Sequence, residues 1–273
     1  MSNSNTTRRR GRRGHQIVAS RGRIGDYRSG APTWIKALTE IITNSHQSFH
    51  SMMDEGHVFK EKPKILIVAN MQAETFTIID YAAGIFGTWD DVEEVLFKYS
   101  KFHKKTHTAA GRSSFGRGMS DVLYRDFENV CQIRSKQKNG TSFAVETFWD
   151  NKGTADADPT YEEIINKNDP LMKLISEHGT VITFPWRSEY EKNNPFPNEI
   201  DLERKLSKYF ELKNVLNDKE IDVELIFQKA DGTDYKTTLK FFDYKKEELT
   251  SELSNVKLDI DFRKCKKCID KYT

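Results

Sequence analysis

The apolar residues of this chain recur with two periods, one typical of a helix and one typical of strands. Trp34, Leu38, Ile41 and Ile42 have the spacing of an amphipathic helix, which we predict from about Pro32 to Met53. A second helix is predicted at Glu199–Leu212. Short apolar runs predict strands at Lys64–Ala69, Thr75–Ile79, Asn129–Ser135 and His178–Phe184, and a hairpin from Ile221–Gln228 and Tyr235–Phe242. The pattern favours a mixed fold of helices and strands.

Composition limits the classes of protein that fit. The chain has 273 residues, of which 37% are hydrophobic and 31% charged, enough for one large or two modest domains with a well-solvated surface. No apolar run approaches a membrane span, and the N-terminus lacks the apolar region of a signal peptide. Three cysteines favour a reducing compartment over a disulfide framework. We therefore expect a soluble, cytoplasmic protein that does not enter a membrane.

The predicted long helix carries a carboxylate and an amide on one face. Glu40 and Asn44 stand four residues apart, which places their side chains one helical turn from each other. Taken alone, such a pair is usually only solvated. It gains meaning if the same face lines a cleft.

Two strand ends offer a pocket floor. Asp80 ends the apolar run 75–79 and is followed by Tyr81, two alanines and Gly84, so a buried acceptor stands next to a segment with small side chains. Thr180 follows Gly179 at the start of another predicted strand and could line the pocket with a hydroxyl. Alone, an Asp before small residues is usually a turn residue.

A glycine-rich segment precedes a helical pattern that begins near Met119. A loop of this kind presents backbone N–H groups and the positive end of the helix dipole, which suits phosphate groups. A lone segment of this composition is usually just a flexible loop. Its residues include Gly111, Phe115, Gly116, Arg117 and Gly118.

Together, the four motifs resemble the pattern of the GHKL superfamily, the Bergerat-fold ATPases that include gyrase, MutL, histidine kinases and the ATP-dependent heat-shock chaperone. The family order is Glu-x-x-x-Asn, Asp-x-Gly-x-Gly, a lid, a glycine-rich loop and a Gly-Thr strand, and it is found here between about Gly25 and Trp186. The resemblance implies an α+β fold, a two-layer α/β sandwich, in residues 25–190. It also implies the start of a transducer-like α/β domain in residues 191–273, which would then be truncated.

The resemblance assigns a role to each matching residue. Glu40 would be the general base for the attacking water, and Asn44 would bind the Mg²⁺ that bridges the phosphates of ATP. Asp80 would accept from the adenine amino group, Gly84 would let the base approach the backbone, and Thr180 would lie near the adenine. The glycine-rich loop residues named above would wrap the phosphates.

Between the second and third motifs lies the segment that the family uses as its ATP lid. We predict a helix at Thr88–Tyr99 and a polar loop at Ser100–Ser114. Lys101 in this loop could approach the phosphates when the lid closes. The alternative is that this lysine belongs to a solvated basic surface.

The N-terminal residues 1–24 are expected to form a disordered basic arm. Five arginines fall within six positions, in the range Arg8–Arg13. Such a run can neutralise the phosphates of a nucleic acid, and the alternative is a tail that only improves solubility.

Cys265 and Cys268 form a Cys-x-x-Cys pair almost at the C-terminus. This is the spacing of half a zinc site, which needs four ligands and finds no second pair here. Zinc held with other ligands and a pair of thiols without metal both stay open. Cys131, in a predicted strand, is expected in the core.

These observations predict an ATPase whose lid closure, with homodimerisation on ATP binding, drives a larger machine acting on nucleic acid or protein. A protein kinase of the same fold is the alternative. Thr43 and Gln47 stand where many relatives carry acids, and Ala82 where they carry glycine. These departures keep open a third hypothesis, a nucleotide-sensing module that does not hydrolyse ATP.

Overall fold

One mixed sheet organises the part of the protein that the computed structural model describes. That part comprises residues 7–10, 33–85, 131–149, 159–165, 168–186, 188 and 193–242, and residues 7–10, 147–149 and 159–165 are described by their backbone. Its strands are β1 (Thr7–Arg10), β2 (Lys64–Asn70), β3 (Thr75–Asp80), β4 (Cys131–Lys136), β5 (Ser142–Trp149), β6 (Pro159–Ile165), β7 (Gly179–Pro185), β8 (Asp222–Gln228) and β9 (Asp234–Thr238). Its helices are α1 (Trp34–Asp54), α2 (Glu199–Lys208) and α3 (Lys213–Leu216), with 3₁₀ turns at Met172–Leu174 and Phe210–Leu212.

The strand order across the sheet is β1-β6-β5-β4-β7-β3-β2-β8-β9. Neighbouring strands are antiparallel, except that β2 and β8 are parallel. The fold is therefore mixed α/β, with a mixed sheet and few helices among the described residues.

The side chains of β3 alternate between the two faces of the sheet, as strand geometry requires. Phe76, Ile78 and Asp80 point to one face, and all three are buried. The apolar residues of α1 belong to the core on that face, together with apolar residues of α2 and α3. A smaller cluster, which contains Ile79 and Val181, covers part of the other face. The register pairs Asp80 with Thr180, so both lie on the helix-covered face.

Most of the elements predicted from hydrophobic spacing are confirmed. The long helix begins at Trp34 and ends at Asp54, and the two strands before the Asp80 motif are β2 and β3. The second helix is shorter than predicted, because Tyr209 takes an extended conformation and a 3₁₀ turn follows it. Cys131 is buried in the core, as expected. Among the described helices, none is long and apolar enough to cross a membrane.

The sheet continues across the predicted domain boundary near residue 190. The hairpin of β8 and β9 exists, but β8 pairs in parallel with β2 along its whole length and extends the same sheet. One compact unit extends through Phe241. Alternating apolar residues specify which face of a strand is buried and not which strand lies next to it, so the pattern could not reveal this neighbour.

Four residues of the predicted basic arm form a strand. Thr7–Arg10 form the edge strand β1, antiparallel to β6. In this register Arg9 stands opposite Glu163 and Arg10 opposite Glu162. Hydrophobic spacing could not predict this strand, because its four residues are all polar.

Candidate functional site

A buried carboxylate at the end of β3 is the centre of the candidate site. The side chain of Asp80 accepts a hydrogen bond from the Ser45 hydroxyl on α1 at 2.7 Å through Oδ2. Its Oδ1 accepts from the backbone N–H of Ala82 at 3.1 Å, and the backbone amide of Thr180 on β7 also bonds to this carboxyl. We call Ser45, Asp80, Ala82 and Thr180 the Asp80 cluster. It joins the long helix to two neighbouring strands.

Burial dominates the electrostatics of Asp80. Only 6% of the residue is exposed, and burial raises the pKa of its carboxyl above the ordinary value. The hydrogen bonds from Ser45, Ala82 and Thr180 oppose this rise in pKa, and so does the nearby His178. The carboxylate form is therefore hydrogen-bonded but still destabilised by desolvation, and additional hydrogen-bond donors would stabilise it.

Gly179 allows β7 to approach β3 at the cluster. A Cβ on this residue would lie 2.1 Å from the Asp80 carbonyl oxygen, and its φ of +140° lies in a region that side chains avoid. Only glycine fits such an approach. The glycine of the predicted Gly-Thr motif therefore has a packing reason, which brings Thr180 alongside Asp80.

Hydrogen bonds hold residues 82–85, the segment shortly after Asp80, at both ends. His178 Nδ1 lies 2.7 Å from the Ala82 carbonyl oxygen, to which its N–H donates in the matching tautomer. Ile85 donates its backbone N–H to Ser135 Oγ at 2.7 Å. Gly84 has a φ of +77°, and a Cβ there would lie 2.5 Å from the Lys136 carbonyl oxygen. The sequence analysis expected Gly84 to make room for a base. In the structure, contact with β4 is itself enough to require glycine.

Glu40 and Asn44 lie on α1, the helix that supplies Ser45 to the Asp80 cluster. Asn44 is half-buried and precedes Ser45, so its Cα is about 3.8 Å from that of the residue that bonds Asp80. Glu40 is exposed one turn earlier. Its charge acts near Tyr209, whose pKa is raised by burial and then by the carboxylates of Glu211 and Glu40. A carboxylate open to water and an amide oxygen thus share the helix that contacts Asp80.

The structure connects the elements that carry three predicted motifs: α1 bears Glu40 and Asn44, β3 leads into Asp80 and Gly84, and β7 carries Thr180. The remaining predicted site residues lie outside the described part of the chain, as do Cys265 and Cys268. They are Lys101, Gly111, Phe115, Gly116, Arg117 and Gly118.

Sequence reasoning missed the residues that hold the cluster in place. Ser45 follows directly after Asn44, and His178 directly precedes the Gly-Thr pair, so adjacency to a motif was the available signal. Ser135 had no such signal, because its contact with residue 85 depends on the pairing of β4 with β7.

Comparison with protein-family models and with curated proteins gives no match to this chain. An assignment of function therefore depends on the motifs and the geometry alone.

Proposed function

We propose that this chain binds Mg-ATP in the manner of the GHKL ATPases, with the adenine at the Asp80 cluster, and hydrolyses it. One observation carries the proposal. The buried Asp80 carboxylate contacts the helix that bears Glu40 and Asn44 and lies beside Thr180.

The burial of Asp80 favours a ligand over a purely structural bridge. A neutral asparagine or serine could also connect α1 to β3 and would not incur the cost of burying a carboxylate. An adenine amino group would donate an additional hydrogen bond to the carboxylate, and bonds to a charged acceptor contribute about 1.5–3 kcal/mol. A buried acid at this position is therefore suited to a bound donor.

The residues on α1 fit the phosphate end of the same ligand. Mg²⁺ prefers oxygen ligands, and the half-buried Asn44 offers its amide oxygen. Bound Mg-ATP would supply the electrophilic phosphorus and neutralise charge on its phosphates. Glu40 would accept the proton of the attacking water, and its exposed carboxylate leaves space for that water.

The layer architecture supports the same proposal. The described helices share with one face of the sheet a core that includes Leu202 of α2 and Val215 of α3. We propose that this is the two-layer sandwich of the Bergerat fold. In it, ATP binding would lead to homodimerisation and to action on a nucleic acid or protein client.

The test is phosphate release from Mg-ATP by the parent chain and by Glu40→Gln. We expect the variant to bind Mg-ATP but to lose roughly 10²–10⁴-fold in rate, because it lacks the general base. Lys36→Gln is the matched control, since Lys36 is exposed one turn earlier on the same helix. Parental turnover by Glu40→Gln would remove Glu40 from the mechanism.

The same assay separates the alternatives. Labelled phosphate that stays on protein would indicate a kinase. Binding of ATP without either product, with candidate clients present, would indicate a nucleotide-sensing module.

A further inference from the structure

Two histidines on the other flank of α1 converge on one carboxylate oxygen. His46 Nε2 lies 2.8 Å from Asp218 Oδ2, and His50 Nε2 lies 2.7 Å from the same atom. The centroids of the two imidazole rings are 4.5 Å apart, and the ring planes are inclined at 66°. We call these three residues the His46 cluster. One ligand atom of each lies within 4.8 Å of those of the others.

We propose that the His46 cluster binds a divalent transition metal ion, with Zn²⁺ preferred. Histidines four residues apart on a helix point to the same side, so α1 presents both Nε2 atoms together. Two imidazoles and a carboxylate are a ligand set that Zn²⁺ accepts, with water in the fourth position.

The two nitrogen–oxygen distances require only a small adjustment for a metal. With bonds of about 2.0–2.2 Å, ligand atoms of a tetrahedral zinc site are roughly 3.4 Å apart. The nitrogen–oxygen distances here are 2.7 and 2.8 Å. Lengthening each nitrogen–oxygen distance by roughly 0.6 Å would make room for an ion in place of the hydrogen-bond proton. Rotation of the imidazoles can supply such a change.

The surroundings fix the carboxylate and leave access for an ion. Asp218 Oδ1 accepts from the Glu220 backbone N–H at 2.7 Å, and its own N–H bonds to the Val215 carbonyl. The backbone thus holds one carboxylate oxygen, while the other faces both imidazoles. The side chain of His50 is 38% exposed, against 16% for His46, which opens one side of the cluster to solvent.

This site is separate from the proposed nucleotide site. Residues two apart on an α-helix point about 160° away from each other, so His46 and Asn44 occupy opposite flanks of α1. Asp218 comes from the turn between α3 and β8, 172 residues further along the chain than His46. A metal ion would therefore fasten α1 to the start of β8, and it could do so whether or not ATP binds.

The experiment is a calorimetric titration of the full chain with Zn²⁺ after removal of metals by a chelator. It uses a Cys265→Ser/Cys268→Ser background, because those thiols could bind zinc themselves. We expect one zinc per chain in this background. His50→Ala and Asp218→Asn should each weaken binding by at least the roughly 10–100-fold that outer-shell substitutions cost at metal sites.

His57→Ala is the matched control, since His57 is half-buried but lies outside the cluster. It should bind zinc as the background does. Substitution of cobalt for zinc should give visible absorption without thiolate bands. Circular dichroism checks that each variant folds, and the exposed position of His50 makes its variant the safer of the two. Absence of zinc binding in the Cys265→Ser/Cys268→Ser background, or equal binding by folded His50→Ala, would overturn the proposal.

Discussion

Replacing Asp80 by asparagine exchanges one oxygen of the buried cluster for an NH₂ group. The Asp80 Oδ1 accepts from Ala82 and the Oδ2 from Ser45. An asparagine can keep its oxygen toward the Ala82 N–H and direct its NH₂ to Ser45, whose hydroxyl can rotate to accept. The substitution should therefore leave the fold intact.

ATP binding should respond differently. In the proposed complex the adenine amino group would donate to Oδ2, the atom that the substitution turns into NH₂, so two donors would oppose each other. A buried polar mismatch of this kind costs about 1–3 kcal/mol. At 25 °C this corresponds to a roughly 5- to 150-fold rise in the dissociation constant for ATP.

Calorimetric titration with Mg-ATP measures this directly. Asp54→Asn is the control. This substitution makes the same chemical change outside the Asp80 cluster, at an exposed residue at the end of α1. If a folded Asp80→Asn variant bound ATP as tightly as the parent, Asp80 would have no contact with the base.

The stability of the same variant should depend on pH in a defined direction. Burial raises the pKa of Asp80 in the folded state. The Asp80 carboxyl therefore makes a stabilising contribution to the free energy of unfolding that is fully present below its unfolded pKa of about 3.9. This contribution is lost as pH rises through the raised folded pKa. Asparagine does not titrate. The stability of the parent relative to Asp80→Asn should thus decrease as pH rises through this window. Urea unfolding at several pH values measures the difference, and a flat or opposite trend would contradict the prediction.

Three further predictions concern packing, charge and the basic arm. Gly179→Ala should lower the melting temperature strongly or prevent folding, because its Cβ would lie 2.1 Å from the Asp80 carbonyl oxygen, and an unchanged melting temperature would contradict this packing. Asp169→Ala should lower the free energy of unfolding in urea by about 3–5 kcal/mol, because the buried Arg134 loses the carboxylate whose Oδ2 lies 2.8 Å from its Nε. A loss below about 1 kcal/mol would contradict this expectation. Replacement of the five arginines in the range Arg8–Arg13 by glutamine leaves the backbone of β1 in place. With duplex DNA as the client, it should weaken binding and reduce the log–log salt slope by up to about 0.9 for each arginine, whereas equal slopes would leave the arm without this role.

Hydrophobic spacing predicted the elements that carry the site but not their arrangement. The period of α1 and the apolar runs of β2 and β3 follow from which residues must be buried. The parallel pairing of β8 with β2 depends on contacts between residues more than 150 positions apart, which no local pattern encodes.

The candidate site shows the same division. Motif order predicts one site for Asp80 and Thr180, and in the structure the register of β3 and β7 makes these two residues neighbours. The hydrogen bond from Ser45 required knowledge of which side of α1 faces the sheet at that level. The His46 cluster was overlooked, although a spacing of four between two histidines is visible in the sequence. Its third member, Asp218, comes from a turn whose position only the fold determines.

Comparison of ATP with inosine triphosphate tests the central claim most directly, because the two nucleotides differ at the group that Asp80 is proposed to recognise. Inosine triphosphate has an oxygen where adenine has its amino group, so the Asp80 carboxylate would face an acceptor and lose its hydrogen bond. Calorimetric titration of the parent chain in the presence of Mg²⁺ should show ATP binding roughly 5- to 150-fold more tightly, from a mismatch of about 1–3 kcal/mol. Asp80→Asn should remove most of this preference. Equal affinity of the parent chain for both nucleotides, or binding of neither, would contradict the proposed adenine site.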